Sequence, residues 1–135
     1  MSVTNVTGTD ATGQTQPGAA IRNTSNDRAS RAYALYTGVS KENRPGYDTL
    51  ALKLPYMVRS AGLSAALAYL GGTTKHQKAA ALLMDHLAVM LGQQSGEELL
   101  KYSRQVQDPV AYLTLAREAL DYAVWIKRLS AGADT

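Results

Sequence analysis

Leu54–Gly72 reads LPYMVRSAGLSAALAYLGG, and the fold turns on this stretch. From Ala61 to Leu70 only Gly62 and Ser64 interrupt the apolar residues, so the composition is that of a buried helix rather than one with a wet face. The run is too short to cross a bilayer, which makes it the expected central helix of a globular domain. Pro55 lacks the N–H that a helix interior needs, so a kink or restart is expected there, with Gly62 as a second joint. The remaining segments are expected to pack around this one.

The surrounding composition favours helix. The chain has 135 residues, enough for one domain, and is rich in Ala and Leu while Val and Ile together number ten. Phe is absent, and the aromatic residues are eight Tyr and Trp125. Without cysteine there is no disulfide framework and no thiolate chemistry, which suits a reducing, cytoplasmic setting. No membrane-spanning run or signal peptide is read. A net charge of +3 and a pI near 9.2 permit a polyanion partner without requiring one.

Outward from the central stretch, the chain divides into a polar arm and a helical domain. Residues 1–25 are mostly Thr, Gly, Ala, Asn, Gln and Ser with no periodicity, and are expected to form a disordered N-terminal arm. Residues 26–135 are expected to form a single all-α domain, a compact bundle of five to six helices. A first helix capped at Asn26 or Asp27 carries Ala29, Ala32, Tyr33 and Tyr36 on its apolar face, with Arg28 and Arg31 on its polar side. A basic loop with Lys41 and Arg44 leads to a second helix from near Tyr47, whose wetter side shows Lys53, Tyr56 and Arg59.

Beyond the central stretch, Gly71 and Gly72 end the helix, and the next runs from about Lys75 to Leu91 with Ala80, Leu83, Met84, Leu87 and Leu91 as its stripe. Ser95 and Glu98 form a capping box for a short helix to about Val106. Asp108 and Pro109 open the last helix, on which Leu113, Ala116, Leu120, Ala123, Ile126 and Leu129 form the expected stripe.

Catalytic patterns are weak. His76 and His86 lie on different faces of one helix, and neither has a second His or carboxylate at ligand spacing, so no metal site is read and both are taken as surface or half-buried side chains. Glu118 and Asp121 lie one turn apart, but Arg117 stands four residues before Asp121, so a salt-bridged face explains them better than an acid–base pair. No Gly-rich phosphate loop is present. No catalytic residue, cofactor or small-molecule substrate is therefore assigned. What remains is dispersed charge at Arg28, Arg31, Lys41, Arg44, Lys53, Arg59, Lys75 and Lys78, suited to phosphate contact and equally to an ordinary solvated surface.

Two segments carry a family resemblance. Pro55-Tyr56-Met57-Val58, Ala61-Gly62-Leu63 and Ala66-Leu67-Ala68-Tyr69-Leu70 resemble the motif Pro-x-x-Ile-x-x-x-Gly-Leu-x-x-x-Leu-Ala-Phe-Leu. This motif belongs to the small helical subunit, the fifth, of the type III-B CRISPR effector, the Cmr complex. Tyr112, Glu118-Ala119-Leu120 and Trp125-Ile126-Lys127-Arg128 resemble the closing helix of the same family. Val58 and Tyr69 depart from the usual Ile and Phe, and a buried Tyr69 would need a partner or a route to solvent for its hydroxyl.

The resemblance implies a non-catalytic ribonucleoprotein subunit of antiviral defence. Several copies would stack head-to-tail along the repeated backbone subunits that carry the guide RNA, with the large polymerase-like subunit at one end. They would help form the groove in which target RNA pairs with the guide. Two competing readings are a helical adaptor that binds only protein, and an enzyme built around His86.

Overall fold

A computed structural model describes residues 24–132, which form six helices joined by short loops. They are α1 (Thr24–Thr37), α2 (Arg44–Ala61), α3 (Leu63–Gly72), α4 (Gln77–Met90), α5 (Gly96–Gln105) and α6 (Pro109–Gly132). The described part is all-α, as the sequence implied. The expected N-terminal arm lies outside the described residues, except that Thr24 and Ser25 already belong to α1.

The long helices organise the core. The last helix, α6, lies along both α2 and α1, while α4 touches α2, α3 and α5. Leu54, Leu67, Leu83, Leu87, Leu99, Ala119, Ala123 and Ile126 are all sealed from solvent where these helices meet. Each such Leu or Ile contributes about 1.5–3 kcal/mol relative to exposure.

The break between the second and third helices falls at Gly62, not at Pro55. Pro55 is buried within a continuous α2. Gly62 adopts φ 96°, ψ 162°, a region that its missing Cβ opens to it. Its N–H still donates to the Val58 carbonyl at 3.1 Å and its own carbonyl accepts from Ala66 at 3.0 Å. One residue thus closes α2 and opens α3.

The central stretch is also less buried than its composition implied. In α3, Leu63, Ala66, Leu67 and Leu70 are buried, the spacing of a single helix face. Ala61, Ala65, Ala68 and Tyr69 are exposed. Tyr69 accordingly meets solvent directly and needs no buried partner.

Other stripes hold with local shifts. On α4, Ala80, Leu83, Met84 and Leu87 are buried as expected. On α6 the buried set is Leu115, Ala119, Tyr122, Ala123, Ile126 and Ser130, a face rotated from the expected one, so Leu113 is 58% exposed. Tyr33, placed by its spacing on the apolar face of α1, is 59% exposed, whereas Ala32 and Tyr36 are buried.

The starts of α5 and α6 follow their capping chemistry, whereas α2, α3 and α4 begin without a side-chain cap. Ser95 Oγ accepts from the Glu98 N–H at 3.2 Å, and Asp108 Oδ1 accepts from Val110 N–H at 3.2 Å. Asp85 on α4 adds a cap absent from the local pattern: its Oδ1 accepts from Gly96 N–H at 2.6 Å and fixes the start of α5.

Candidate nucleic-acid interface

The eight basic residues singled out above divide into two groups. Three do structural work. Arg28 forms an ion pair with Asp121 at 3.0 Å, and Arg31 donates to the Tyr122 hydroxyl at 3.1 Å and to the Val89 carbonyl at 3.2 Å. Both guanidinium groups lie over the Tyr122 ring, at 5.7 and 5.8 Å from its centroid. They clasp α1 to α6 and α4. Asp121 therefore faces α1, and not Arg117 as its spacing implied.

Arg44 is the third. Its Nη2 donates to the carbonyls of Val39 at 3.0 Å and Tyr36 at 3.4 Å, and its guanidinium covers the Tyr36 ring at 4.8 Å. It straps the loop between α1 and α2. Tyr36 in turn donates to Asp48 Oδ1 at 3.1 Å and packs its ring against Tyr47.

Lys41, Lys53, Arg59, Lys75 and Lys78 are exposed. Lys78 lines a recess with Glu42, Asn43, Gly46 and His76, so a carboxylate sits beside it. Lys53 and Arg59 flank Tyr56, which is 72% exposed, on the outer face of α2. The N-terminal half of α1 lies against α6 and α4, where Arg28 and Arg31 find their partners.

The two histidines sit in different settings. His86 is 8% exposed and shares a 2.8 Å hydrogen bond with the Tyr47 hydroxyl. Burial pushes its pKa down despite the neighbouring Asp85 carboxylate, and burial likewise pushes the Tyr47 hydroxyl up. Burial this deep was not legible from its position in the sequence. Exposed His76 takes a left-handed φ of 60° just before α4. Among the described residues no group of three or more His, Cys, Asp and Glu could hold a metal ion, and no helix is long and apolar enough to cross a membrane.

Comparison with known proteins follows this geometry. The family profile described as CRISPR-associated protein (Cas_Cmr5) matches residues 24–133. The protein named CRISPR system Cmr subunit Cmr5 from Thermus thermophilus is 40% identical over 103 residues, covering 76% of this chain and 88% of that protein. The crystal structure of a CRISPR-associated Cmr5 family protein from the same organism superposes with a TM-score of 0.74 at 37% identity. That match covers 82% of this chain and 97% of the other.

The chain belongs to the Cmr5 family.

The residues that carried the resemblance divide into core and surface, with Tyr56, Ala68 and Tyr69 among the exposed ones. Pro55, Val58, Leu63, Leu67 and Leu70 are core, and Gly62 is the joint. Tyr112 in the first turn of α6 accepts from Ser64 N–H at 3.3 Å, which ties the motif's helix to the closing one. Trp125 is half-buried with the Arg128 guanidinium 5.0 Å above its ring. These residues thus set how α2, α3 and α6 meet, while Lys53, Tyr56 and Arg59 on the outer face of α2 are exposed.

Proposed function

We propose that the chain is the small subunit of a type III-B Cmr CRISPR effector complex. It acts without catalysis of its own, in cytoplasmic antiviral defence. Several copies stack head-to-tail along the guide-carrying backbone subunits, with the large polymerase-like subunit at one end. Together they help hold target RNA by charge.

Membership of the Cmr5 family supports the complex. The observation that supports the RNA contact is the outer face of α2, where exposed Lys53 and Arg59 have no packing role. Phosphate contact needs positive charge but no base-edge geometry, because guide pairing supplies the sequence information. Of the eight basic residues, Arg28, Arg31 and Arg44 drop to the edge of this reading, since their guanidinium groups hold the fold together.

Reconstitution with the backbone subunits and guide RNA tests the proposal. The double change Lys53→Glu with Arg59→Glu is expected to leave the fold intact, weaken target retention and flatten its salt dependence. Retention equal to the parent at every salt concentration would remove this face from the RNA path. A protein-only adaptor would then be the better reading.

A further inference from the structure

The exposed face of α2 is longer than its two cations. Positions 45, 49, 52, 56 and 59 step by four, three, four and three, so Pro45, Thr49, Leu52, Tyr56 and Arg59 share one face, and all five are exposed. At 1.5 Å per residue that face is about 21 Å long. Lys53 lies beside it.

The N-terminal end of this face opens into a groove of about 780 Å³ between α1 and α2. Its walls include Tyr33, 59% exposed, and Leu52, 40% exposed, and Lys41 stands at its rim. Arg44 lines the same groove and adds its charge, although its guanidinium is held over Tyr36. Asp48, the carboxylate in the lining, accepts the Tyr36 hydroxyl. Two exposed rings and three exposed cations therefore run in one continuous line from the groove to the end of α2.

We infer that this line is a track for unpaired, single-stranded RNA, with bases stacked on Tyr33 and Tyr56 and phosphates held by Lys41, Lys53 and Arg59. The inference rests on the RNA-contacting function proposed above and names the form of RNA. Cations alone would serve a duplex as well, since a duplex presents phosphates outward. The rings decide between the two: a base can lie on Tyr33 or Tyr56 only if it is out of its stack, and such stacking tolerates any base. The exposed Leu52 between them continues the apolar floor for a base or ribose.

The test compares a short fluorescein-labelled oligouridylate with a blunt RNA duplex, using the full chain and fluorescence anisotropy. The parent is expected to prefer the single strand. Tyr33→Leu with Tyr56→Leu keeps the charge and apolar bulk and is expected to weaken single-strand binding roughly ten-fold or more, leaving the duplex unaffected. Both rings are exposed, and circular dichroism verifies folding before titration. Thiouridine placed in the oligomer is expected to photocrosslink to the peptides holding Tyr33 and Tyr56.

The outcomes separate this inference from the reading beneath it. If the ring variant binds the single strand like the parent while Lys53→Gln with Arg59→Gln weakens it, stacking is overturned and charge contact stands. If neither variant changes binding, or the parent binds neither RNA, both fall. A ring variant that binds RNA normally but fails to join the reconstituted complex makes this face a protein interface, which also overturns the track.

Discussion

The Tyr47 hydroxyl and His86 Nδ1 lie 2.8 Å apart in the core, one on α2 and the other on α4, with both rings nearly sealed from solvent. The rings also pack against each other with centroids 5.5 Å apart. Burial holds the phenol protonated and the imidazole neutral; in the tautomer with its proton on Nε2, Tyr47 donates and Nδ1 accepts. Removing one partner leaves the other buried and unsatisfied. Tyr47→Phe is expected to destabilise by about 1–3 kcal/mol. Tyr47→Phe with His86→Leu is expected to cost less than the sum of the two single changes, because the orphaned group goes with its partner. Urea unfolding of the four proteins in the cycle measures this.

The same pair sets a pH dependence. His86 has a lowered pKa in the folded protein, so below about 6.5 the unfolded chain binds a proton that the folded chain refuses. Stability is therefore full above that pH and declines as pH falls, until the folded imidazole also titrates. In the Nε2–H tautomer, protonation would turn Nδ1 into a donor facing a hydroxyl oriented to donate. The loss between pH 7 and 5 is expected to shrink in His86→Gln, which cannot titrate. An equal slope in both proteins would place the sensitive group elsewhere.

Gly96 and Gly72 predict opposite responses to Ala. A Cβ on Gly96 would stand 2.7 Å from Met84 Cγ and 3.0 Å from the Met84 backbone carbon, where α5 presses on α4. The backbone cannot yield as a side chain can, so Gly96→Ala is expected to cost about 1–3 kcal/mol. Nothing lies within 4 Å of the same atom on Gly72. Gly72→Ala is expected to be neutral or to stabilise by up to about 1 kcal/mol through the unfolded chain. Thermal unfolding of the two variants side by side checks the pair.

Ala65→Asp tests how far sequence composition can be trusted. The apolar run from Ala61 to Leu70 implies burial, and on that reading an aspartate at 65 would unfold the protein. In the structure Ala65 is exposed in the first turn of α3, where a carboxylate also suits the helix dipole. The variant is expected to melt within about 0.5 kcal/mol of the parent, as exposed changes usually do. Leu67→Asp, at a fully buried position, is expected to give insoluble or molten protein. Aggregation of Ala65→Asp would restore the buried reading.

The contrast shows what the sequence could carry. The starts of α5 and α6 were legible because Ser95, Asp108 and Pro109 act through neighbours a few residues away, whereas the uncapped α2 and α4 begin at Arg44 and Gln77 rather than near Tyr47 and Lys75. Composition misled at Ala65 and Ala68, since alanine costs little in either environment and only the 63, 66, 67, 70 spacing marks the buried face. The joint at Gly62 was the weaker of two signals, because a buried Pro55 can be carried within a helix while φ near 96° suits glycine alone. Long-range pairs were illegible: nothing near Arg28 or Arg31 announces Asp121 or Tyr122. The candidate interface was legible as eight basic positions, while the neighbours that Arg28, Arg31 and Arg44 engage within the fold came only from the structure.

Arg28 and Arg31 carry the last prediction. Arg31 has three partners on two helices: the Tyr122 hydroxyl, the Tyr122 ring and the Val89 carbonyl. Arg28 adds an ion pair whose side chains are 23% and 46% exposed, a geometry in which solvent leaves little net stabilisation. Arg31→Met is accordingly expected to cost about 1 kcal/mol, because it unsatisfies a carbonyl and uncovers the Tyr122 ring while keeping the stem's packing. Arg28→Met is expected to cost less. Neither change is expected to alter the salt slope of target RNA retention by the assembled complex, since both guanidinium groups are engaged by side chains and a carbonyl of α6 and α4. Lys53→Gln should behave the opposite way, with an unchanged melting temperature and a salt slope reduced by about one. Measuring melting temperature and salt slope for all three variants separates the roles. An Arg31→Met protein that melts like the parent but loses RNA would return Arg31 to the interface and make the seam contacts incidental.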